Sequence, residues 1–319
     1  MRFSVVFTTL MTLALPAAAA PAGHALHLNL PSGAVIHDVF TKATVQTKGE
    51  MRTSGTATVE YDDAVTSAAK GYHVAKTVTG MTFKLDDATT AAVGPDGSKA
   101  MQAMATAALQ TPPVFTADAA LSPQHIENWD AIKVQTAKAM TNVLGPQGEA
   151  IATNMLGMFD ADSAAGAFLK EDRFLAIPRE TSLALNTPVS SDGELPFLFG
   201  GTIKATETLT LSRWDDAAHA AEYDYSFVPD PASLQSAIVA IVPQLVARMG
   251  GGSGATPPQD EIAAVAKDMK VDMTTHCHYL ADTHTGLIGK ATCEARSGVS
   301  LQGTSQMKVE TYTLAETLK

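Results

Sequence analysis

The chain has 319 residues, a formal net charge of −11 and only two cysteines. Its 45% hydrophobic content is that of a globular protein with room for one large domain or two ordinary ones, but aromatics supply only 6%, so Ala, Thr and Met must fill much of the core. The acidic balance excludes nucleic acid and anionic headgroups as partners held by charge, since an acidic surface gains nothing from counterion release.

In chain order, Arg2 precedes an apolar run from Phe3 to Leu15, Pro16 ends it, and Ala17 to Ala20 follow. A charge, a short apolar core and small residues in that order predict a cleavable secretory signal over residues 1–20, cut near Ala19 or Ala20. No Cys follows the cut to carry a lipid, and no later stretch reaches eighteen uninterrupted apolar residues. A soluble periplasmic or secreted protein without stable membrane insertion is the expectation.

From Lys42 to Phe83, Thr, Val and Tyr recur in alternating runs, which predicts an antiparallel meander with turns at Lys48-Gly49, Asp62-Asp63 and Lys70-Gly71. Gly94-Pro95-Asp96-Gly97 breaks the pattern. Ser98 to Leu109 carries Met101, Met104, Ala105, Ala108 and Leu109 at helical spacing, and Pro112-Pro113 ends that helix. A hairpin is expected over residues 114–130, then a helical stretch from Ala131 to Phe168 interrupted at Gly145-Pro146 and near Asp160.

From Leu195 a similar order begins again, with two strand-like runs and a helix whose stripe is Leu234, Ile238, Ile241, Val242, Leu245 and Met249. A Gly-rich loop over residues 250–258, a short helix over 260–268 and a final hairpin follow, and Tyr279-Leu280-Ala281-Asp282 there matches Phe115-Thr116-Ala117-Asp118. The pattern predicts an α+β fold: a curved antiparallel sheet built from two similar strands-helix-hairpin halves and covered by helices. Residues 21–130 form the first half, 131–194 a helical insertion with a connecting strand, and 195–319 the second half.

Cys277 and Cys293 lie equally far from Thr285, the centre of the last turn, so they face each other across the hairpin and are predicted to form a disulfide. The competing reading is a metal site built from His276, His278 and His284. On a strand, however, His276 and His278 share one face and Cys277 points to the other, and no spacing matches a structural zinc motif. Asp160, Asp162 and Glu171 have the outline of a calcium loop, but Ala165 stands where Gly is required, and Asp160, Asp162 or Ser163 reads better as a helix cap.

Gly252-Ser253-Gly254 is neither a nucleophile elbow nor a phosphate loop, and no H-E-x-x-H or G-x-G-x-x-G motif occurs. The acid pairs Asp62-Asp63, Asp86-Asp87 and Asp215-Asp216 read as turn residues. No catalytic residue and no cofactor is predicted. Trp129 and Trp214 read as core anchors that could border a ligand, and Met101, Met104, Met140, Met155 and Met158 could supply an adaptable apolar wall.

With its signal segment, strand-rich body and the D-x-x-x-G hairpin from Asp282 to Gly286, the chain resembles a group of secreted or periplasmic Gram-negative proteins of unknown function. The predicted sheet-and-helix arrangement is also similar, at the level of fold alone, to the half-barrel of periplasmic lipoprotein carriers, which shelter an acyl chain. The absence of catalytic motifs and the Met-rich helices lead to the expectation of a non-enzymatic exported protein, a carrier or sensor that holds an apolar small molecule or lipid between sheet and helices. The alternatives are an envelope structural or protein-interaction module, whose protein partner the residues do not name, and a hydrolase with a dispersed site.

Overall fold

A computed structural model describes residues 23–319 apart from 92–93, 95–96, 98, 100–106, 108–109, 180, 197–201, 250–267 and 302–303. The signal segment, Met101, Met104 and the Gly-rich loop therefore lie outside the described residues.

The alternating Thr/Val/Tyr runs form strands much longer than short turns would allow. β1 (Val35–Lys48), β2 (Met51–Ala68) and β3 (Gly71–Leu85) are consecutive antiparallel strands, and the short β4 (Val114–Ala117) and β5 (Pro123–Ile126) continue the meander. The helices α1 (Trp129–Leu144), α2 (Pro146–Leu156), α3 (Ala161–Phe168) and α4 (Lys170–Ala176) follow. Then come β6 (Val189–Pro196), β7 (Thr202–Asp215), β8 (Ala220–Pro229), α5 (Pro231–Met249), β9 (Lys270–Asp282), β10 (Ile288–Leu301) and β11 (Thr304–Leu318).

All eleven strands belong to one sheet in the order β5-β4-β3-β2-β1-β11-β10-β9-β8-β7-β6. Every neighbouring pair is antiparallel. The pairing of β1 with β11, from Ile36 opposite Leu318 to Lys48 opposite Gln306, joins the two ends of the chain.

That continuity corrects the predicted fold class. The protein is not an α+β assembly of two similar helix-covered halves. It is mainly one large antiparallel sheet, and β11, whose Thr-rich alternation runs almost to the C-terminus, sits near its middle rather than at the edge of a second half. The units are also unequal: β4 and β5 have four residues each, whereas β9 and β10 have 13 and 14.

Period-two burial defines the inner face. On β8 the buried positions include Ala221, Tyr223, Tyr225 and Phe227, and on β1 they include Ile36, Asp38 and Phe40. Two cores lie on this face. In one, Ile36, Val65, Val74 and Phe115 from the sheet meet Trp129, Leu156, Ala164 and Leu169 from the helical segment. In the other, Phe40, Tyr223, Tyr279, Tyr312 and Leu314 pack with Leu175 of α4 and with Leu26 and Leu183 of flanking segments. A smaller cluster sets Leu234 and Ile238 of α5 on Ile203 of β7 and Val271 of β9.

The helical breaks fall where backbone chemistry requires. Gly145, at φ 65°, separates α1 from α2, and Pro146 takes the first helical position, where its missing N–H costs nothing. Asp160 caps α3: its carboxylate accepts from the Ser163 N–H at 2.8 Å while Ser163 Oγ accepts from the Asp160 N–H. Of the acids with a calcium-loop outline, Asp160 thus forms a capping box with Ser163, while Asp162 pairs with His125 and Glu171 lies on α4. Among the described residues, no helix is long and apolar enough to cross a membrane.

Cys277 and Cys293 are directly opposite in the β9–β10 register, with Cα atoms 4.0 Å apart, and they form a disulfide. Both are buried on the inner face among Tyr225, Tyr279 and Tyr312. At the turn, Gly286 adopts φ 77°, and a Cβ there would collide with the His27 backbone, so the hairpin tip is fitted against the N-terminal segment. The bridge spans 16 residues, for which chain entropy gives roughly 3 kcal/mol. Cys277→Ala with Cys293→Ala should lower the unfolding free energy by about 2–3 kcal/mol in urea titrations. A loss under about 0.5 kcal/mol would mean that the zipped hairpin alone confines these residues.

Candidate functional site

An apolar strand face interrupted by charge is the local sequence signature of the site. Asp38 lies between Ile36 and Phe40, Asp63 between Tyr61 and Val65, Lys76 between Val74 and Val78, and Glu316 two residues beyond Leu314, each on the inner face by period two. The register brings them together. Asp63 stands directly opposite Lys76, and Asp38 stands opposite Tyr61 on one side and Glu316 on the other.

Lys76 is the hub. Its Nζ lies 2.6 Å from Asp63 Oδ2, 2.9 Å from Asp172 Oδ1 of α4 and 3.5 Å from Asp38 Oδ2. It also lies 4.6 Å from the centre of the Tyr61 ring. Its side chain is only 3% exposed, so the cluster is removed from water. Beside it, Arg179 donates to Glu316, to Gly286 O at 3.0 Å and to Ala120 O at 3.2 Å, while Glu316 also accepts from the Ile288 N–H at 2.6 Å. This second pair ties the post-helical segment to the hairpin tip.

Burial would drive the Lys76 amine toward neutrality, but Asp172, Asp63 and Asp38 together reverse that and hold its pKa well above the ordinary lysine value. Burial pushes Asp63 up to about 6, against the opposing pull of Lys76. Burial likewise raises Asp38 well above the usual carboxylate range, against the pull of Lys76 and reinforced by Asp63, Glu316 and Asp172. Burial also raises Glu171 of α4 and takes Tyr61 up to about 12. Asp38 Oδ1 and Asp63 Oδ1 are buried without a hydrogen-bond partner.

Over this cluster lies a cavity of about 220 Å³ between sheet and helices. Phe40, Val78, Ile126, Trp129, Ile132, Leu156, Phe168, Leu169 and Leu175 supply apolar wall, and Asp38, Tyr61, Lys76, Glu171 and Asp172 supply a polar end. That volume exceeds the roughly 150 Å³ of an apolar cavity that admits benzene and falls below the roughly 300 Å³ at which drug-sized sites begin. One alkyl chain of moderate length suits it.

The predicted site residues scatter. Trp129 lines the cavity, with its Nε1–H donating to Phe159 O at 2.9 Å. Met140 is buried with Ala152 between α1 and α2, Met155 packs against the helical core, and Met158 is half-buried; none of the three borders the cavity. Trp214 stacks on His24 at 4.6 Å, at the end of β7 and away from the cavity. His276 and His278 lie on the exposed face of β9, with His278 Nδ1 2.9 Å from Asp224, and His284 sits in the turn against His219. The strand divides them from the disulfide on the opposite face.

One expectation is reversed outright. Asp62-Asp63 is not a turn: β2 runs through it, Asp62 faces outward to His37 and Lys319, and Asp63 faces inward to Lys76. Asp86 and Asp215 do serve turns or caps, accepting from the Thr89 N–H and the Ala218 N–H. Among the described residues, Asp38, Asp63 and Asp172 form the group close enough to share a cation, with ligand atoms within 4.8 Å of one another. The Lys76 ammonium already occupies that role.

Two stability effects follow. Lys76→Met strands buried carboxylates and should cost about 3–5 kcal/mol, whereas adding Asp38→Asn and Asp63→Asn should restore much of the loss, because uncharged packing replaces an isolated charge. Denaturant titrations would show this, and a triple variant no better than Lys76→Met would contradict it. Asp63 has a folded pKa of about 6 against roughly 3.9 unfolded. The folded state therefore holds the extra proton between those values, and this group makes stability fall by about 3 kcal/mol as pH rises through that window. Asp63→Asn should remove that part of the pH 4–6.5 slope.

No protein-family model matches the chain, and no curated protein matches it. Among solved structures, an outer membrane channel from Pseudomonas putida F1 aligns at 7% identity over 91% of this chain and 98% of its own, with a TM-score of 0.19. OccK11 of Pseudomonas aeruginosa aligns at 5% identity over 92% of this chain and all of its own, also at a TM-score of 0.19.

Proposed function

We propose that this protein is an exported, non-enzymatic carrier or sensor that holds an apolar, lipid-like chain in the cavity between the sheet and helices α1, α3 and α4. The observation that carries the reading is the cavity itself: apolar side chains make up most of its wall, and Asp38, Tyr61, Lys76, Glu171 and Asp172 form a polar end. A binding site for an amphiphile needs that polarity gradient, because the chain is favoured by burial and the head must find partners.

The lining also supports binding over hydrolysis. Among the described residues it contains no Ser, Cys or His, so a nucleophile paired with an imidazole base is not assembled there. The secretory signal read in residues 1–20 supports a periplasmic or secreted location, and the buried disulfide agrees with an oxidising compartment.

A second reading rests on a different feature. Among the described residues, β6 ends the sheet with one side unpaired, and its Val189 is exposed, so this edge could accept a strand from an envelope partner.

Protein recovered from the periplasm of a Gram-negative host should begin near Ala20 or Pro21 and raise the fluorescence of Nile red, a neutral apolar dye. Ile132→Trp, which fills the cavity from the α1 side, should weaken dye binding at least tenfold with unchanged circular dichroism. Equal binding by both proteins would place the dye elsewhere and remove the carrier reading.

A further inference from the structure

We infer that the cavity selects an amphiphile whose head is a hydrogen-bond donor, a primary ammonium above all, over one bearing a carboxylate. This rests on the apolar-chain reading and deepens it.

The first ground is the state of the cations. An ammonium offers three N–H donors, and Lys76 has three carboxylates within 3.5 Å of its nitrogen: Asp63, Asp172 and Asp38. None is left to receive a ligand's carboxylate. Arg179, the other buried cation nearby, is committed to Glu316 and to the carbonyls of Gly286 and Ala120. Lys170 of α4 turns toward the Tyr312 hydroxyl at 3.2 Å and lines no part of the cavity.

The second ground is the surplus of acceptors. The lining holds Asp38, Glu171 and Asp172 against Lys76 alone. Asp38 is only 7% exposed, yet its Oδ1 has no partner. Among the described residues Glu171 makes no ion pair, and burial disfavours its charge. An incoming carboxylate would meet three acids and a Lys76 already shared among carboxylates, with the hydroxyls of Tyr61, Thr111 and Thr136 as the lining's remaining donors, whereas an ammonium would meet Asp38 Oδ1, which has no partner, inside a largely apolar enclosure where an unpaired polar atom is costly.

The third ground is proton balance. The groups facing Asp38 are Tyr61 and Asp63 from β2, Lys76 from β3, Glu316 from β11, and Glu171 and Asp172 from α4. This acid-rich surrounding favours a proton on Asp38 when the cavity holds no cation. An ammonium can take that proton's place: the N–H bonds of the head close on Asp38, the Asp38 O–H bond breaks and its proton passes to solvent. Charge in the enclosure is unchanged by the exchange. A neutral alcohol would bind without it.

The test is displacement of Nile red from the mature protein at pH 7.5 by decylamine, decanol and decanoate, which share a chain length, each kept below its aggregation threshold. Decylamine should half-displace the dye at a concentration at least tenfold below decanoate, with decanol between them, and its binding should release protons in weakly buffered solution. Asp38→Asn should reduce the advantage of decylamine over decanol at least fivefold. Glu171→Gln, at a less buried position, gives the same comparison in smaller degree should Asp38→Asn not fold. Decanoate binding as tightly as decylamine would overturn the head preference alone, as would an amine advantage that survives the substitutions. Failure of all three to displace the dye would overturn the carrier reading together with this one.

Discussion

The ion cluster on Lys76 is the constraint around which the rest is arranged. A charged lysine within a sheet face costs several kcal/mol in desolvation unless its partners are set close and kept in place. Here one partner comes from β1, one from β2 and one from α4, so the cluster can form only when the β1–β3 meander has paired and α4, about a hundred residues further on, has docked on it. Its energetic value need not be large for its specificity to be high. A one-residue slip of β2 against β3 would turn Asp63 outward and leave Lys76 without its nearest carboxylate.

That specificity matters because a sheet of eleven antiparallel strands rich in Thr and Val is otherwise weakly distinguished from its own register shifts. Alternation sets which residues face inward but treats a two-residue slip as nearly equivalent. Charged pairs at particular positions break the degeneracy near β1–β3, and the Arg179–Glu316 pair does so where β11 meets the hairpin tip. On the far side, where the core is Tyr and Leu without ions, the Cys277–Cys293 bridge pins β9 against β10 covalently. Ions and disulfide thus divide the sheet between them.

Much of this order was legible in residue patterns and some was not. The hairpin cysteines could be paired because their distance from a recognisable turn is symmetric, and the breaks near Gly145 and Asp160 carry local backbone chemistry. The joining of β1 to β11 left no such mark: nothing local in Ile36 or Leu318 records a neighbour almost the whole chain away, and so the α+β reading did not survive. The cluster did leave a signal. Asp38, Asp63, Lys76 and Glu316 each occupy a position that period-two alternation assigns to the apolar face. Reading Asp62-Asp63 as a turn, because acids favour turns, concealed it. Methionines drew attention by their adaptability, whereas the cavity wall is made of ordinary Val, Leu, Ile and Phe that no local rule separates from core.

The cavity and the cluster are two consequences of one arrangement. Asp172 of α4 reaches Lys76 beside the cavity, and at the bulge between Glu60 and Tyr61 the Tyr61 position stands opposite Val78, both lining the gap. The cavity is walled mainly by apolar residues, so water gains little there, while its ionic end keeps an acceptor in excess. A core that simply maximised packing would replace these four charges with apolar side chains and close the gap. On the proposed reading, retention of both together serves a site for a chain with a polar head, and the ions belong to its binding surface as well as to the register of the sheet.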